Sequence, residues 1–379
     1  MEDILQYTIW LPVVLVIGAC IGSFLNVVVY RVPLGLSVNE PRRSFCPRCG
    51  AEIPWFRNIP VLTWILQRGR CASCGGRIAL RYVVVEVLTA VLFAAAWYVA
   101  VTASPSPHLI GAGLTMVFVV VLLSISFIDA EHMLIPVVFC WWGMGVGVVG
   151  NAVDPFLATL QEGASGLPWW GGLARSLAGL ALGWGLLEAV VLAGKKFLGE
   201  RHERFPEPVD WRLEEPEEDE EEGELAFVID EESLGWSDLF YRKGDRIQIE
   251  GDEVHVDGEC VRASSLTIYR DHVLIGSTRH SIADLRSLSG KAGKVVIPRE
   301  AMGGGDPPLL GMIGAFLGWK GVIFTLFTAS VYALAAAVLG RIGFGRPLPF
   351  GPFMALAALT WVFGGWQLWD WYFRTIGGF

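Results

Sequence analysis

The chain has 379 residues, of which 53% are hydrophobic and only 18% are charged, and its mean hydropathy is +0.49. A soluble domain carries about 25% charged residues, so this composition excludes a single ordinary soluble domain. Charge is also unevenly spread: residues 200–300 hold 26 acidic and 13 basic side chains, whereas segment 31–81 holds nine Arg against two Glu. A nucleic-acid-binding protein needs its basic patch on a polar domain. Here the basic segment lies between apolar stretches, which favours membrane topology and no nucleic-acid partner.

Apolar stretches long enough to cross a bilayer, about 20 residues each, recur along the chain. Six qualify by length: Ile4–Tyr30, Tyr82–Val101, Leu109–Ile128, Trp169–Ala193, Gly321–Gly340 and Leu348–Leu368. Pro136–Val153 is slightly short, and Pro307–Trp319 is predicted to be a half-length or tilted helix. The fold class we predict is therefore an all-α polytopic membrane protein with about eight transmembrane helices.

Arginine and lysine in the loops predict the orientation, because they accumulate on the cytoplasmic side. Segment 31–81 should be cytoplasmic, and threading the spans from it places 129–135 and 194–306 on the same side. Loops 101–108 and 154–168, which contain no Lys or Arg, then lie outside. Lys320 and Arg374 fall outside as well and count mildly against this arrangement.

Two soluble pieces interrupt the membrane part, 31–81 and 196–300. The second opens with nine acids in eleven residues, Glu214–Glu224, which is typical of a solvated tether. Alternating segments such as Arg246–Glu250 and Glu253–Asp257 follow, separated by glycines, and this pattern predicts a small β domain. The predicted domains are a first transmembrane helix (1–30), a cytoplasmic four-cysteine domain (31–81), helices two to five (82–195), the tether and inserted β domain (196–300), and helices six to eight (301–379).

Four of the seven cysteines form two CxxC pairs, Cys46/Cys49 and Cys71/Cys74. Each CxxC turn aims two thiolates at one ion, and the glycine that follows lets the backbone fold around the sulfurs. Four thiolates suit tetrahedral Zn²⁺ with no open position, so we predict a structural metal. The alternative is a pair of redox dithiols or disulfides, which a cytoplasmic location disfavours.

Asp129 follows the run Leu109–Ile128, and Asp306 directly precedes the short run Pro307–Trp319. The predicted topology places both carboxylates at the cytoplasmic boundary, although it was built from arginine positions alone. Two carboxylates brought together share one proton. The charged one can activate water while the protonated one polarises a peptide carbonyl, so the pair predicts peptide hydrolysis without a covalent intermediate.

Three glycines, Gly303, Gly304 and Gly305, precede Asp306. They allow a close backbone approach or a positive φ and would form a loop that admits an extended substrate.

Structural alternatives exist for both acids: Asp129 could be an interfacial helix-end residue, and Asp306 could be the N-cap before Pro307. Another glycine pattern, Gly145–Gly150, spells GxGxxG inside a span, and we interpret it as a helix-packing surface.

These residues together resemble the type IV prepilin peptidases, a family of GxGD-type membrane aspartic proteases. The likeness rests on the two aspartates, the Gly303–Asp306 motif and the four cysteines described above, and on five further stretches. These are Gly22–Arg31, Arg81–Tyr82, Glu86–Thr89, Gly311–Trp319 and Pro349–Phe353. Three departures are visible. Val137 follows Pro136 where the family often has Asp, which favours Asp129 as the catalytic residue. Pro307–Pro308 replace a stretch that commonly carries Lys, and the insert 196–300 lies outside the resemblance.

The resemblance implies an enzyme of the bacterial inner membrane that removes the basic leader of prepilins or pseudopilins on the cytoplasmic side. It also implies N-methylation of the new N-terminal residue with S-adenosylmethionine, for which the zinc loop and the N-terminal signature are candidate locations. Glu86 and Glu188 are buried-acid candidates for supporting roles.

Two other hypotheses remain open. A presenilin-like intramembrane protease would carry Pro-Ala-Leu near the C-terminus, and the sequence has none. A non-enzymatic assembly or transport protein that docks a partner through its zinc loop would tolerate Asp129→Asn and Asp306→Asn.

Overall fold

The computed structural model describes residues 9–41, 43–102, 108–155, 168–198, 200–214, 225–230, 232–240, 245–251, 253–261, 263–276, 278–298, 303–340 and 348–377. They form two compact units, Met1–Glu188 with Gly305–Phe379, and Ala189–Gly304. The predicted acidic tether, Glu214–Glu224, lies outside the described residues except for Glu214.

The helices, in chain order, are α1 (Leu11–Arg31), α2 (Leu62–Leu66), α3 (Leu80–Thr102), α4 (Leu109–His132), α5 (Val137–Val153), α6 (Trp169–Leu198), α7 (Trp236–Leu239), α8 (Asp306–Leu339), α9 (Gly351–Thr360) and α10 (Trp366–Gly377). Five of the described helices are long and apolar enough to cross a membrane: α1, α3, α4, α6 over Trp169–Gly194, and α8. This confirms a membrane protein with several apolar helices, while the count of eight spans stays a prediction.

Glycines let the helices of the first unit approach closely. Lipid is as apolar as the side chains, so helices associate in it through close packing, which small residues permit. Gly22 of α1 lies against Glu86 of α3, so that a Cβ placed on it would be 2.7 Å from the Glu86 Cα. On α5, Gly147 lies against Phe316 and Gly150 against Leu114. The packing interpretation of Gly145–Gly150 therefore holds for these two glycines, whereas Gly145 faces open space.

Helix α8 breaks at Gly318, whose φ of 72° and ψ of −176° are not helical. The predicted short helix Pro307–Trp319 corresponds to its first half. Neighbouring helices satisfy the carbonyls that the break exposes: Asn151 Nδ2 donates to Ala315 O at 2.9 Å, and Arg175 Nη2 donates to Leu317 O at 2.6 Å. Ser176 Oγ also donates to Ala315 O, at 2.5 Å. Such pairing is required because lipid offers no hydrogen-bond donors.

The predicted run Leu348–Leu368 is also interrupted. A π-helical turn over Trp361–Gly365 separates α9 from α10, and Gly364 within it has a φ of +143°. Only glycine adopts that backbone conformation readily, so the apolar composition that predicted one span did not reveal the bend.

The second unit is a single antiparallel sheet, which confirms the predicted β domain. Its strands are β1 (Glu200–Glu214), β2 (Ala226–Ile229), β3 (Glu232–Gly235), β4 (Arg246–Glu250), β5 (Glu253–Val256), β6 (Glu259–Val261), β7 (Ser265–Tyr269), β8 (His272–Ile275), β9 (Thr278–Ser281) and β10 (Leu288–Pro298). Their order is β3-β2-β1-β10-β4-β7-β8-β9, and β5 pairs with both β10 and β6.

Period-2 alternation places one face of several strands in the core, as in Ile247 and Ile249 of β4. The largest fully buried side chain of the domain is Trp211. The β1–β10 register shifts between Arg204 and Val209. Pro206 and Pro208 lie in this interval, and proline has no N–H to give to a ladder.

Candidate active site and metal centre

Asp129 lies in the last turn of α4, and only 4% of its surface is exposed. The backbone N–H of Gly351, the first residue of α9, donates to Asp129 Oδ2 at 3.0 Å. A Cβ atom placed on Gly351 would lie 2.6 Å from the same oxygen. Residue 351 therefore has to lack a side chain for the carboxylate to hold this position.

Asp306 is the first residue of α8 and is 6% exposed. Pro307 and Pro308 follow it in the first helical turn, where a missing backbone N–H costs nothing. Gly305 is the N-cap residue, with a φ of −86°. Its role is close approach, because a Cβ on Gly305 would lie 2.5 Å from the Cβ of Ile135. Gly304 meets no atom within 4 Å and shows no such constraint.

Ile135, in the link between α4 and α5, contacts the neighbours of both aspartates. It packs against Gly305, which precedes Asp306, and its Cδ1 lies 3.4 Å from a Cβ placed on Gly351. Gly351 in turn binds Asp129. Asp129 and Asp306 are 177 residues apart in the sequence. Ile135 nevertheless lies beside a glycine that adjoins each of them.

The four predicted cysteines lie together: their Sγ atoms are all within 4.8 Å of one another. The two CxxC turns have matching backbones, in which the N–H groups of Gly50 and Gly75 donate to the Cys46 and Cys71 carbonyls at 2.8 and 2.9 Å. Both glycines have positive φ, +67° and +69°. A tetrahedral Zn²⁺ with Zn–S bonds of about 2.3 Å separates its sulfurs by about 3.8 Å, so this cluster fits a metal with a small contraction.

The sulfurs differ in acidity. Hydrogen bonds from the backbone N–H groups of Cys74 and Ser73 lower the pKa of Cys71 to about 6. The Ala51 backbone N–H lowers the pKa of Cys49, but desolvation and the neighbouring Cys46 and Cys74 outweigh it and raise that pKa to about 11. The Cys71 thiolate is thus stabilised, whereas ionisation of Cys49 beside the other sulfurs is disfavoured. A divalent cation removes that resistance.

A cavity of about 510 Å³ lies between α1, α3 and the cysteine turns. Glu86 lines it, 8% exposed, and accepts a hydrogen bond from the Val61 backbone N–H at 2.7 Å. Val61 has a φ of 62°, which is strained for a β-branched residue. Asn26, 3% exposed, also lines the cavity. The sequence proposed Glu86 as a supporting acid, and the structure places it in this cavity. Glu188 is not among the cavity's lining residues.

Three residues of these sites were not singled out from the sequence: Gly351, Ile135 and Asn26. Gly351 and Asn26 lay inside stretches noted only for their family likeness. A buried asparagine in a membrane span is the one signal that composition could have offered for Asn26, since polar groups are costly there.

Two family profiles match the chain. The Bacterial Peptidase A24 N-terminal domain matches residues 16–100, and the Type IV leader peptidase family matches residues 274–338. The first range includes the cysteine turns and the cavity, and the second includes Asp306.

Proteins similar to this chain carry related names. A "Prepilin leader peptidase/N-methyltransferase" of Myxococcus xanthus is 42% identical over 159 residues, which are 40% of this chain and 44% of that protein. One of Aeromonas salmonicida is 25% identical over 396 aligned positions, which cover 97% of this chain and 95% of the relative. A "Type 4 prepilin-like proteins leader peptide-processing enzyme" of Escherichia coli is 32% identical over 215 residues, 49% of this chain and 77% of the relative. No solved structure matches the chain.

Proposed function

This chain belongs to the type IV leader peptidase family, and we propose that it cleaves the basic leader from prepilins or pseudopilins and then methylates the new N-terminal amine. The observation that carries the proposal is the pair of buried acids, Asp129 and Asp306, whose neighbours Gly351 and Gly305 both pack on Ile135. Likeness to the named relatives supports both activities.

Asp129 and Asp306 are the proposed catalytic residues, and Gly303–Gly305 form the loop beside them. The two carboxylates share one proton. The ionised carboxylate takes a proton from a water molecule while the water oxygen attacks the scissile carbonyl carbon. The protonated one donates a hydrogen bond to the carbonyl oxygen, where negative charge develops. The C–N bond then breaks as the leaving nitrogen takes up the proton that the first carboxylate removed from water. Gly351 keeps Asp129 in place through its N–H, and the bare backbone at Gly305 keeps Asp306 close to Ile135.

Cys46, Cys49, Cys71 and Cys74 are the proposed ligands of a structural Zn²⁺. When bound, the ion joins the two CxxC turns and so holds one wall of the cavity. S-adenosylmethionine is the proposed methyl donor. When bound, it would supply a methyl group to the new N-terminal amine, with the S–CH3 bond broken, the thioether as leaving group and one proton lost from the amine.

We further propose eight spans in the bacterial inner membrane with the active site facing the cytoplasm. The nine arginines of segment 31–81 support this orientation, and a leader that is basic would be on the same side. The proposed domain limits are those predicted from the sequence, with the β domain inserted over 196–300. Its acidic tether could attract a basic leader by long-range charge.

The proposed cleavage is tested by expressing the chain with a prepilin in cells that lack their own processing enzyme. Asp129→Asn and Asp306→Asn should each lower leader removal by about 100-fold or more, because each removes half of the acid–base pair. Asp284→Asn, an exposed aspartate in the sheet domain, is the matched control. Substantial cleavage by either active-site variant at equal membrane abundance would refute the mechanism. The mass of the mature pilin reports methylation separately.

A further inference from the structure

Helix α5 has two faces with different surroundings. One face packs inside the first unit, where Gly143 lies against Met312 of α8 and Gly147 lies against Phe316. The opposite face carries an exposed apolar stripe, whose members recur every three or four residues and so line one side of the helix. They are Val138, Trp141, Trp142, Gly145, Val149 and Val153. The described residues cover the first face and leave the stripe open.

The stripe is the floor of a groove of about 750 Å³. Ile110 and Leu114 of α4 form a wall near the end of α5, and Trp141 lines the groove near the beginning of that helix. The Trp141 ring is held against Trp184 of α6, with ring centroids 5.1 Å apart. Of the ten lining residues, eight are aliphatic or glycine and two are tryptophan. The groove therefore suits an occupant with an apolar surface.

Gly145 lies in the floor of the groove near the middle of α5. A Cβ placed on it meets no atom of the described residues within 4 Å, so packing within that part of the chain does not require a glycine there. Small residues at such positions let a second helix approach closely in lipid. A peptide occupant at this depth has to satisfy its own backbone hydrogen bonds, so it is a helix and not an extended strand. A helix from another molecule thus explains the one glycine of the Gly145–Gly150 pattern that faces open space.

The groove begins beside the proposed peptidase centre. Val138 lies in the first turn of α5, three residues after Ile135, which packs against Gly305. From Val138 the floor continues to Val153, a distance of about 22 Å at a rise of about 1.5 Å per residue. This length covers most of the apolar thickness of a bilayer, about 30 Å. A helix that fills the groove therefore has one end near Asp129 and Asp306, within reach of the chain segment that precedes it.

We propose that this groove docks an apolar transmembrane helix of the substrate, which follows the scissile bond and lies alongside α5. The assignment rests on the proposed peptidase function and adds a substrate requirement to it. A leader on the cytoplasmic side makes the substrate helix run parallel to α5, because α5 begins on that side in the proposed topology. Packing against the groove then selects substrates by the shape of this helix, in addition to the residues around the bond that is cut.

The first test replaces Val149 by the photo-reactive amino acid p-benzoylphenylalanine in the full chain, which is co-expressed with a prepilin in cells that lack their own processing enzyme. Val149 is 64% exposed, and ultraviolet light should join this position to the prepilin. Val16 of α1, a valine that is 63% exposed, is the matched control and should give no prepilin adduct. Equal prepilin adducts from both positions, an adduct between two copies of the chain, or no protein adduct at Val149 would overturn the groove.

Gly145→Leu provides a second measurement, because it adds bulk to the floor at a point where a Cβ meets no atom of the described residues. It should raise the KM for the prepilin about tenfold or more, since it blocks the close approach of the docked helix. Gly185→Leu, at a position in α6 where a Cβ also meets no atom within 4 Å, should leave the KM unchanged. An unshifted thermal midpoint confirms that each variant folds.

The two measurements separate the groove from the function on which it rests. Equal KM values for Gly145→Leu and the unaltered chain would overturn the groove and leave the proposed cleavage standing. Failure of the unaltered chain to cut a prepilin would overturn the proposed function, and the groove with it.

Discussion

Gly351 is the residue on which the position of the Asp129 carboxylate depends. Its N–H supplies the hydrogen bond at 3.0 Å, and its bare Cα leaves room for the oxygen that accepts it. A glycine does both tasks here without any positive φ, so the requirement is steric and not conformational.

Gly351→Ala should lower the rate of leader cleavage by about tenfold or more while leaving the protein folded. The added Cβ would lie 2.6 Å from Asp129 Oδ2 and 3.2 Å from its Cγ, and a displacement of about 1 Å at a reacting group can cost about 100-fold. Cleavage is measured by gel shift at equal enzyme. Gly113→Ala, at a helix position where a Cβ meets no atom within 4 Å, should cleave normally. Equal rates for both variants would show that the carboxylate position does not matter.

Helix α8 illustrates what a single element needs inside a membrane. Its first half begins with Asp306 and ends at Gly318, so a helix terminus lies within an apolar environment. Asn151, Arg175 and Ser176 supply the donors that the terminal carbonyls need. These hydrogen bonds fix the C-terminal end of the first half of α8, and so help to position Asp306 at its N-terminal end.

Asn151→Leu should destabilise the protein by about 1–3 kcal/mol, because it leaves buried carbonyls without donors. The thermal midpoint in detergent should fall, and cleavage should weaken because α8 loses its fixed position. Ser330→Ala is the control, since Ser330 Oγ bonds only to a carbonyl of its own helix, Leu326 O. An unchanged midpoint for Asn151→Leu would mean that water or another donor satisfies the break.

The cysteine turns are the second element with a testable requirement. Cys46→Ser should release the bound zinc and lower the thermal midpoint, because three thiolates hold the ion less well and the turns lose their cross-link. Metal content is measured by mass spectrometry after dialysis. Cys20→Ser, an exposed cysteine in α1, should retain one zinc per chain. Equal zinc in both variants would refute the site.

At the scale of the whole molecule, the sheet domain has its own core and a simple attachment. Its first and last strands, β1 and β10, pair antiparallel with Glu200 opposite Pro298. Entry and exit are therefore neighbours in space, which is the geometry that lets one domain be inserted in another. Sixteen of its described residues, Trp211 and Phe227 among them, form a buried core.

A fragment of residues 200–298 should consequently fold alone. It should show β-sheet circular dichroism and one cooperative thermal transition followed by tryptophan fluorescence, since Trp211 is 1% exposed. Ile268→Asp, which buries an unpaired charge at a fully buried position, should abolish the transition. A fragment that melts without cooperativity would show that the domain depends on the rest of the chain.

Local patterns in the sequence were sufficient for a large part of this description. Apolar run length predicted the membrane helices, CxxC spacing predicted the sulfur cluster, and period-2 alternation predicted the sheet, because each of these features depends on neighbouring residues. The short helix Pro307–Trp319 was also predicted, since its apolar run stops before Lys320.

Contacts between distant segments were decided only in three dimensions. That Gly351 binds Asp129, that Ile135 packs against Gly305, and that Asn26 and Glu86 line one cavity depend on helix packing. No periodicity encodes them, because the residues involved are up to 222 positions apart. Sequence determined which groups are present and which elements carry them, whereas packing determined which groups meet.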